Sequence, residues 1–142
     1  MRYIVSVDDS EASREAVDLA VQYAKRIDAT LELVHAAQRS PENNGNNGSG
    51  PVLQSREEAE TRGLDVLERC KSWANNDEVK VKTTLLWGKP GDAIANYADD
   101  QEADCVFVGH RGLSSRHEEL VGSTAKRLIG QTNIPVMVAT PE

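Results

Sequence analysis

Short β-rich runs alternate with longer amphipathic segments along this chain, and that alternation restricts its fold more than any single motif does. Arg2 to Asp8 (RYIVSVD) is a β-rich apolar run. Ser10 follows as a helix N-cap with Glu11 in the first turn, and Ala16, Ala20, Tyr23, Ala24 and Ile27 recur at helical spacing to about Asp28. Thr30 to Ala37 (TLELVHAA) reads as a second strand. From Val52 to about Ala74 the apolar positions Ala59, Leu64, Leu67, Cys70 and Trp73 indicate a long amphipathic helix. Val79 to Leu86 then alternates, with Val79, Val81, Thr83 and Leu85 on one face and Lys80, Lys82 and Thr84 on the other. That period of two predicts an edge strand with one wet face. Gly88-Lys89-Pro90-Gly91 breaks the chain, and Asp92 opens a third helix through Ile94 and Tyr97. Cys105 to Val108 is short and continuously apolar, hence a central strand. Gly109 to Val121 is a loop, Gly122 to about Gln131 a fourth helix, and Pro135 to Ala139 a fifth strand. Such an order predicts an α/β fold, a parallel sheet with helices on both faces.

With 142 residues, 39% of them apolar, the chain suits one domain over residues 1–142 with one sizeable core. Gln38 to Pro51, with four Asn and three Gly and no periodicity, predicts a flexible loop at 38–51 rather than a second domain. No run approaches the roughly 18 apolar residues of a membrane span, and no signal peptide precedes the first strand, so the expected location is cytoplasmic. Cys70 and Cys105 stand in no metal-ligand spacing and are expected as reduced thiols. A net charge of −7 argues against nucleic acid or an anionic membrane as main partner. The acidic surplus would also suit a salt-rich cytosol. The last strand carries no charge and has no helix after it. As an unprotected sheet edge it predicts a homodimer through Val136, Met137, Val138 and Ala139.

The chemistry concentrates in one stretch: Gly109-His110-Arg111-Gly112, nine residues, then Gly122-Ser123-Thr124. A glycine directly after a buried strand lets the backbone turn and approach a ligand without a Cβ, and Gly112 does the same three residues later. Gly122-Ser123-Thr124 opens a helix, where unpaired N–H groups and the helix dipole favour an anion. Residues 109–127 hold Arg111, Arg116, Lys126 and Arg127 against Glu118 and Glu119, a positive island in an acidic chain. Arg111 and Arg116 are the candidate phosphate contacts. His35 is assigned no chemistry; His110 and His117 are read as exposed loop residues, either of which could touch phosphate. The G-x-x-x-x-G-K-[ST] phosphate loop is absent, which argues against a motor-type or switch-type NTPase.

These residues resemble the universal stress protein family over nearly the whole chain. Ile4-Val5-Ser6-Val7-Asp8-Asp9-Ser10-Glu11 looks like its opening strand and turn, Leu33-Val34-His35 like its second strand, and Gly88-Lys89-Pro90 like the turn before its third helix. Gly109, Gly112, Gly122 and Ser123 fit its ATP signature, two glycines three apart, a nine-residue gap, then Gly-Ser, without insertion or deletion. The resemblance implies a Rossmann-like five-stranded parallel sheet in the order 3-2-1-4-5, with a crevice above strands 1 and 4. It implies that Asp8 bonds the nucleoside end of ATP, that the backbone of Ala36 reads the adenine edge, and that Val108 lines the pocket. Gly109 and Gly112 would admit ribose and phosphates, and Gly122, Ser123 and Thr124 would hold the phosphates. Family members carry Mg2+ or Mn2+ with the nucleotide, but no acidic cage for a metal is evident in this sequence. Asp9, where many members have Gly, adds negative charge at the pocket mouth. Asp8 could equally brace the turn that follows it.

The expected function is thus an ATP-binding regulatory or stress-response protein with at most slow ATP hydrolysis. No catalytic residue is assigned, because no general base or arginine finger accompanies the loop. The alternative is a nucleotide-free dimeric module that recruits a protein partner. An adenylating enzyme on the same architecture ranks below both, since no glycine follows strand 1.

Overall fold

A computed structural model describes residues 1–39, 41–42, 52–53, 55–74, 78–110 and 122–140. Along the chain run β1 (Arg2–Ser6), α1 (Glu11–Ile27), β2 (Thr30–Ala37), α2 (Arg56–Trp73), β3 (Val81–Trp87), α3 (Pro90–Asp100), β4 (Cys105–Gly109), α4 (Ser123–Gln131) and β5 (Val136–Ala139). The five strands form one parallel sheet in the order β3-β2-β1-β4-β5. One row crosses the whole sheet in register: Thr83, Leu33, Val5, Phe107, Met137. This is the order 3-2-1-4-5, and it leaves β3 and β5 at the edges.

Alternate residues of the strands feed two cores. Tyr3, Val5, Leu31, Leu33 and Phe107 pack with Ala16, Val17 and Ala20 of α1 and Leu67 and Cys70 of α2. Ile4, Val34, Val106 and Val108 pack on the other face with Ile94, Ala95 and Ala98 of α3 and Leu128 of α4. Central strands apolar on both faces are what a parallel sheet between two helical layers requires.

Four expectations change in detail. The buried face of α2 is Ala59, Gly63, Val66, Leu67 and Cys70, whereas Leu64 is 48% exposed. Gly63 explains the shift: a Cβ there would lie 2.6 Å from Leu85 Cδ1, so this glycine seats α2 against the sheet. α3 begins at Pro90 rather than Asp92, because proline is pre-set for a first helical position and has no N–H to lose. Gly88 supplies the turn before it, at φ 121°, in the left-handed region. β3 is at an edge, but its wet face is incomplete. Leu85 packs on one core and Leu86 on the other, while Lys82 and Thr83 are exposed. Pro41–Glu42, in the segment read as a flexible loop, pairs antiparallel with Val52–Leu53, read as the start of a helix that begins instead at Arg56. Residues 43–51 lie outside the described ones. No helix among the described residues is long and apolar enough to cross a membrane.

Candidate functional site

A cavity of about 310 Å³ opens at the C-terminal ends of β1, β2 and β4, where the order of connection reverses. Asp8, Ala36, Val108, Gly109, Gly122, Ser123 and Thr124, all singled out from the sequence, line it together. Gly112, Arg111, Arg116 and His117 lie outside the described residues. Val136 to Ala139 lie elsewhere, along the outer edge of the sheet.

Asp8 follows β1, and its Oδ1 accepts hydrogen bonds from Ser13 Oγ at 2.8 Å and from Ser10 Oγ. Its backbone N–H donates to Ser13 Oγ at 2.7 Å. Ser10 also caps α1, accepting from the Ser13 N–H at 3.4 Å. The bracing role is therefore present, and it uses only one carboxylate oxygen. The other accepts no hydrogen bond among the described residues. Behind the turn, the Cys70 thiol donates weakly to the Asp8 carbonyl at 3.8 Å. Burial pushes that thiol up to about 11, so it stays protonated.

Asp9 is not a free charge at the mouth. Its carboxylate pairs with Arg69 of α2. Arg127, counted from the sequence as part of a positive island, is likewise engaged: its Nε donates to Asp92 Oδ1 at 2.8 Å. That pair joins the first turns of α3 and α4, which pass so closely that a Cβ on Gly91 would lie 2.5 Å from Arg127 Cβ.

Of the three glycines in the phosphate signature, the two among the described residues serve different needs. A Cβ on Gly109 would lie 2.5 Å from the Ala12 carbonyl oxygen and 2.6 Å from its carbon. The approach of α1 by itself requires glycine there, a need not visible in the sequence. Gly122 has ordinary extended backbone and is the N-cap of α4, its N–H donating to the His110 carbonyl at 2.6 Å. No side chain caps this helix. The following N–H groups, on Ser123, Thr124 and Ala125, have no intrahelical acceptor and border the cavity. His110 itself is half-buried rather than exposed, and its Nδ1 is buried without a partner among the described residues.

Three contributions were not foreseen. Ser13 holds Asp8 from one turn into α1; a serine three residues after the N-cap serine was the available signal. His35 lines the cavity and donates from Nδ1 to the Val7 carbonyl at 2.8 Å, fixing its ring. Pro90 and Ile94 of α3 form an apolar wall opposite. Among the described residues no cluster of three metal-ligating side chains occurs. Among the described residues the slot combines apolar walls with one Asp8 oxygen that accepts no hydrogen bond and a row of N–H groups at α4 without an intrahelical acceptor, a pattern suited to a ligand with an aromatic body and an anionic end.

Comparison with known proteins agrees with that topology. Residues 1–140 match the model of the universal stress protein family. The universal stress protein YxiE of Bacillus subtilis is 28% identical over 96% of this chain and 97% of its own. Among solved structures, a universal stress protein in complex with cAMP superposes with a TM-score of 0.72 at 23% identity, covering 99% of this chain and 96% of that one. The universal stress protein of Archaeoglobus fulgidus in complex with dAMP does so with 0.70 at 20%, covering 97% and 96%. At those identities the structures speak to the fold alone, but the family model spans nearly every residue, and the chain belongs to the universal stress protein family.

Proposed function

We propose that this chain binds an adenine nucleotide in the β1–β4 crevice and acts as a regulatory, stress-response protein rather than a dedicated catalyst. The observation that carries the reading is the uncapped N-terminus of α4 at Ser123–Ala125, facing the same cavity as the free oxygen of Asp8. Family relatives crystallised with cAMP and dAMP support it. In this reading the purine lies between Val108 and the Pro90–Ile94 wall, its edge read by the backbone of Ala36. Asp8 accepts a hydrogen bond from the nucleoside. The N–H groups of Ser123 and Thr124, with their hydroxyls, donate to phosphate oxygens. ATP is the ligand we favour. Mg2+ or Mn2+ would arrive on its triphosphate oxygens, since the described residues build no cage for it. Hydrolysis would be at most slow, because the sequence places no general base or arginine finger beside the phosphate loop.

The open edge of β5, with Val136, Met137 and Val138 each half-buried, supports homodimerisation through that strand. Two unpaired thiols, Cys70 and Cys105, fit work in the reducing cytoplasm.

The test is to denature the purified protein, identify any released nucleotide by mass spectrometry, and titrate ATP and AMP calorimetrically into wild type and Gly122→Val. Binding near micromolar strength, about 8 kcal/mol, should be lost in the folded variant. If wild type binds no adenine nucleotide at low or high salt with metal present, the reading is wrong.

A further inference from the structure

Among the described residues Glu32 alone is a charged side chain with no exposed surface. It sits in β2 beside Ile4 of β1 and Lys82 of β3. Its Oε2 accepts hydrogen bonds from Thr84 Oγ1 at 2.6 Å and from the Tyr97 hydroxyl. Its Oε1 accepts none and faces Arg2 Nε and Lys82 Nζ, each at 3.8 Å. Taking a carboxylate out of water is costly, and two cations that are 36% and 49% exposed return only part of that cost. An apolar residue of similar size would hold this face of the sheet together as well or better. Stability alone therefore does not account for the charge.

What the carboxylate adds is direction. It fixes Tyr97, which lies one turn beyond Ile94 on α3, and Ile94 with Pro90 walls the cavity. Burial, and next the bond to Glu32, raise the Tyr97 phenol above its ordinary value, so it remains a donor. From Pro90 to Tyr97 the helix runs about 10 Å. Over a similar span, about 13 Å, β2 runs from Glu32 to Ala36, which faces the same cavity. Helix and strand are thus joined by hydrogen bonding at the end remote from the cavity, beyond the packing of Ile94, Ala95 and Ala98 with Val34. We propose that Glu32, acting through Tyr97, is a positioning residue for the nucleotide cavity: it holds the α3 wall at a fixed distance from β2. The proposal rests on the nucleotide reading above.

Tyr97→Phe removes one hydroxyl and keeps the ring. Hydrogen exchange of wild type and variant would be compared across 91–98 and across α1, at a temperature where both are folded. AMP would then be titrated into each. The expected result is faster exchange in the first turns of α3 but not in α1, and AMP binding weakened by about fivefold. A merely structural bond would lower the thermal midpoint and leave AMP affinity unchanged, and that result would overturn the proposal. Glu32→Gln keeps an oxygen for both hydroxyls and should retain most of the affinity lost in Tyr97→Phe. A glutamine variant as weak as Tyr97→Phe would remove the hydrogen-bond basis. If wild type binds no nucleotide, the functional reading fails on its own. Where wild type binds, unchanged protection of α3 or unchanged AMP affinity in Tyr97→Phe rejects the positioning role alone, and loss of both sustains it.

Discussion

Asp8 follows β1 and Glu32 stands on the neighbouring strand β2, and one carboxylate oxygen of each accepts from two hydroxyl groups. Ser10 and Ser13 donate to Asp8, Thr84 and Tyr97 to Glu32. They differ in what meets the second oxygen. At Asp8 it borders an open cavity; at Glu32 it is sealed under α3 with only Arg2 and Lys82 nearby. The same local chemistry therefore serves two ends. Where solvent or a ligand can reach the spare oxygen, the pair of hydroxyls aims a binding group. Where nothing can reach it, the pair locks a helix to a sheet. Burial, more than residue type, decides which role a braced carboxylate takes.

The largest effect should come from the sealed one. Glu32→Ala leaves the Thr84 and Tyr97 hydroxyls without their acceptor and opens a void, while Arg2 and Lys82 can rehydrate. A loss of about 2–4 kcal/mol is expected in urea denaturation. Asp8→Ala should cost far less stability, about 1 kcal/mol, since Ser10 and Ser13 can turn to water. Its AMP affinity should fall about tenfold, the value of one hydrogen bond lost to the ligand. Equal stability losses in the two variants, with AMP binding untouched in Asp8→Ala, would erase the distinction between them.

The elements were legible because strand and helix periods differ and each segment is short, so RYIVSVD could be read as a β-rich run and CVFV as a central strand, while the strand order came from the family resemblance. The crevice followed, since strand order fixes where connections reverse, and Asp8, Gly109 and Gly122 fell beside it. Contacts between distant positions were not legible. Glu32 reads as one polar residue in TLELV, and its partners lie 52 and 65 positions away. Asp9 looked like an unpaired charge because Arg69 sits on a different helix. Gly63 breaks the apolar pattern of α2 although it marks the closest approach to the sheet, so the exposed Leu64 was taken for core in its place. Local pattern carries the elements; the polar pairings that aim side chains arise only when the elements pack.

A third carboxylate extends the series to the surface, where the effect should be smallest. Asp92 lies in the first turn of α3 and accepts from Arg127 Nε at 2.8 Å, and the arginine is 61% exposed. That hydrogen bond holds the Asp92 carboxyl below the ordinary aspartate value of 3.8. A lowered folded-state value means the pair's contribution is complete above the unfolded value. It fades as pH falls through the folded one, so the window lies below about pH 4. Near neutral pH, Asp92→Asn should shift denaturation too little to separate from wild type, because water screens a pair this exposed. The measurement able to see it is a carbon NMR titration of the Asp92 carboxyl. Its midpoint should lie below 3.8 in wild type and rise toward that value in Arg127→Gln. A wild-type midpoint already at 3.8 would mean that Arg127 is not held on Asp92 in solution. The joint between α3 and α4 would then rest on the close approach at Gly91, on Ile94, Ala95 and Ala98 packed with Ala125 and Leu128, and on the bond from Thr132 Oγ1 to Asp99 Oδ1 at 2.7 Å.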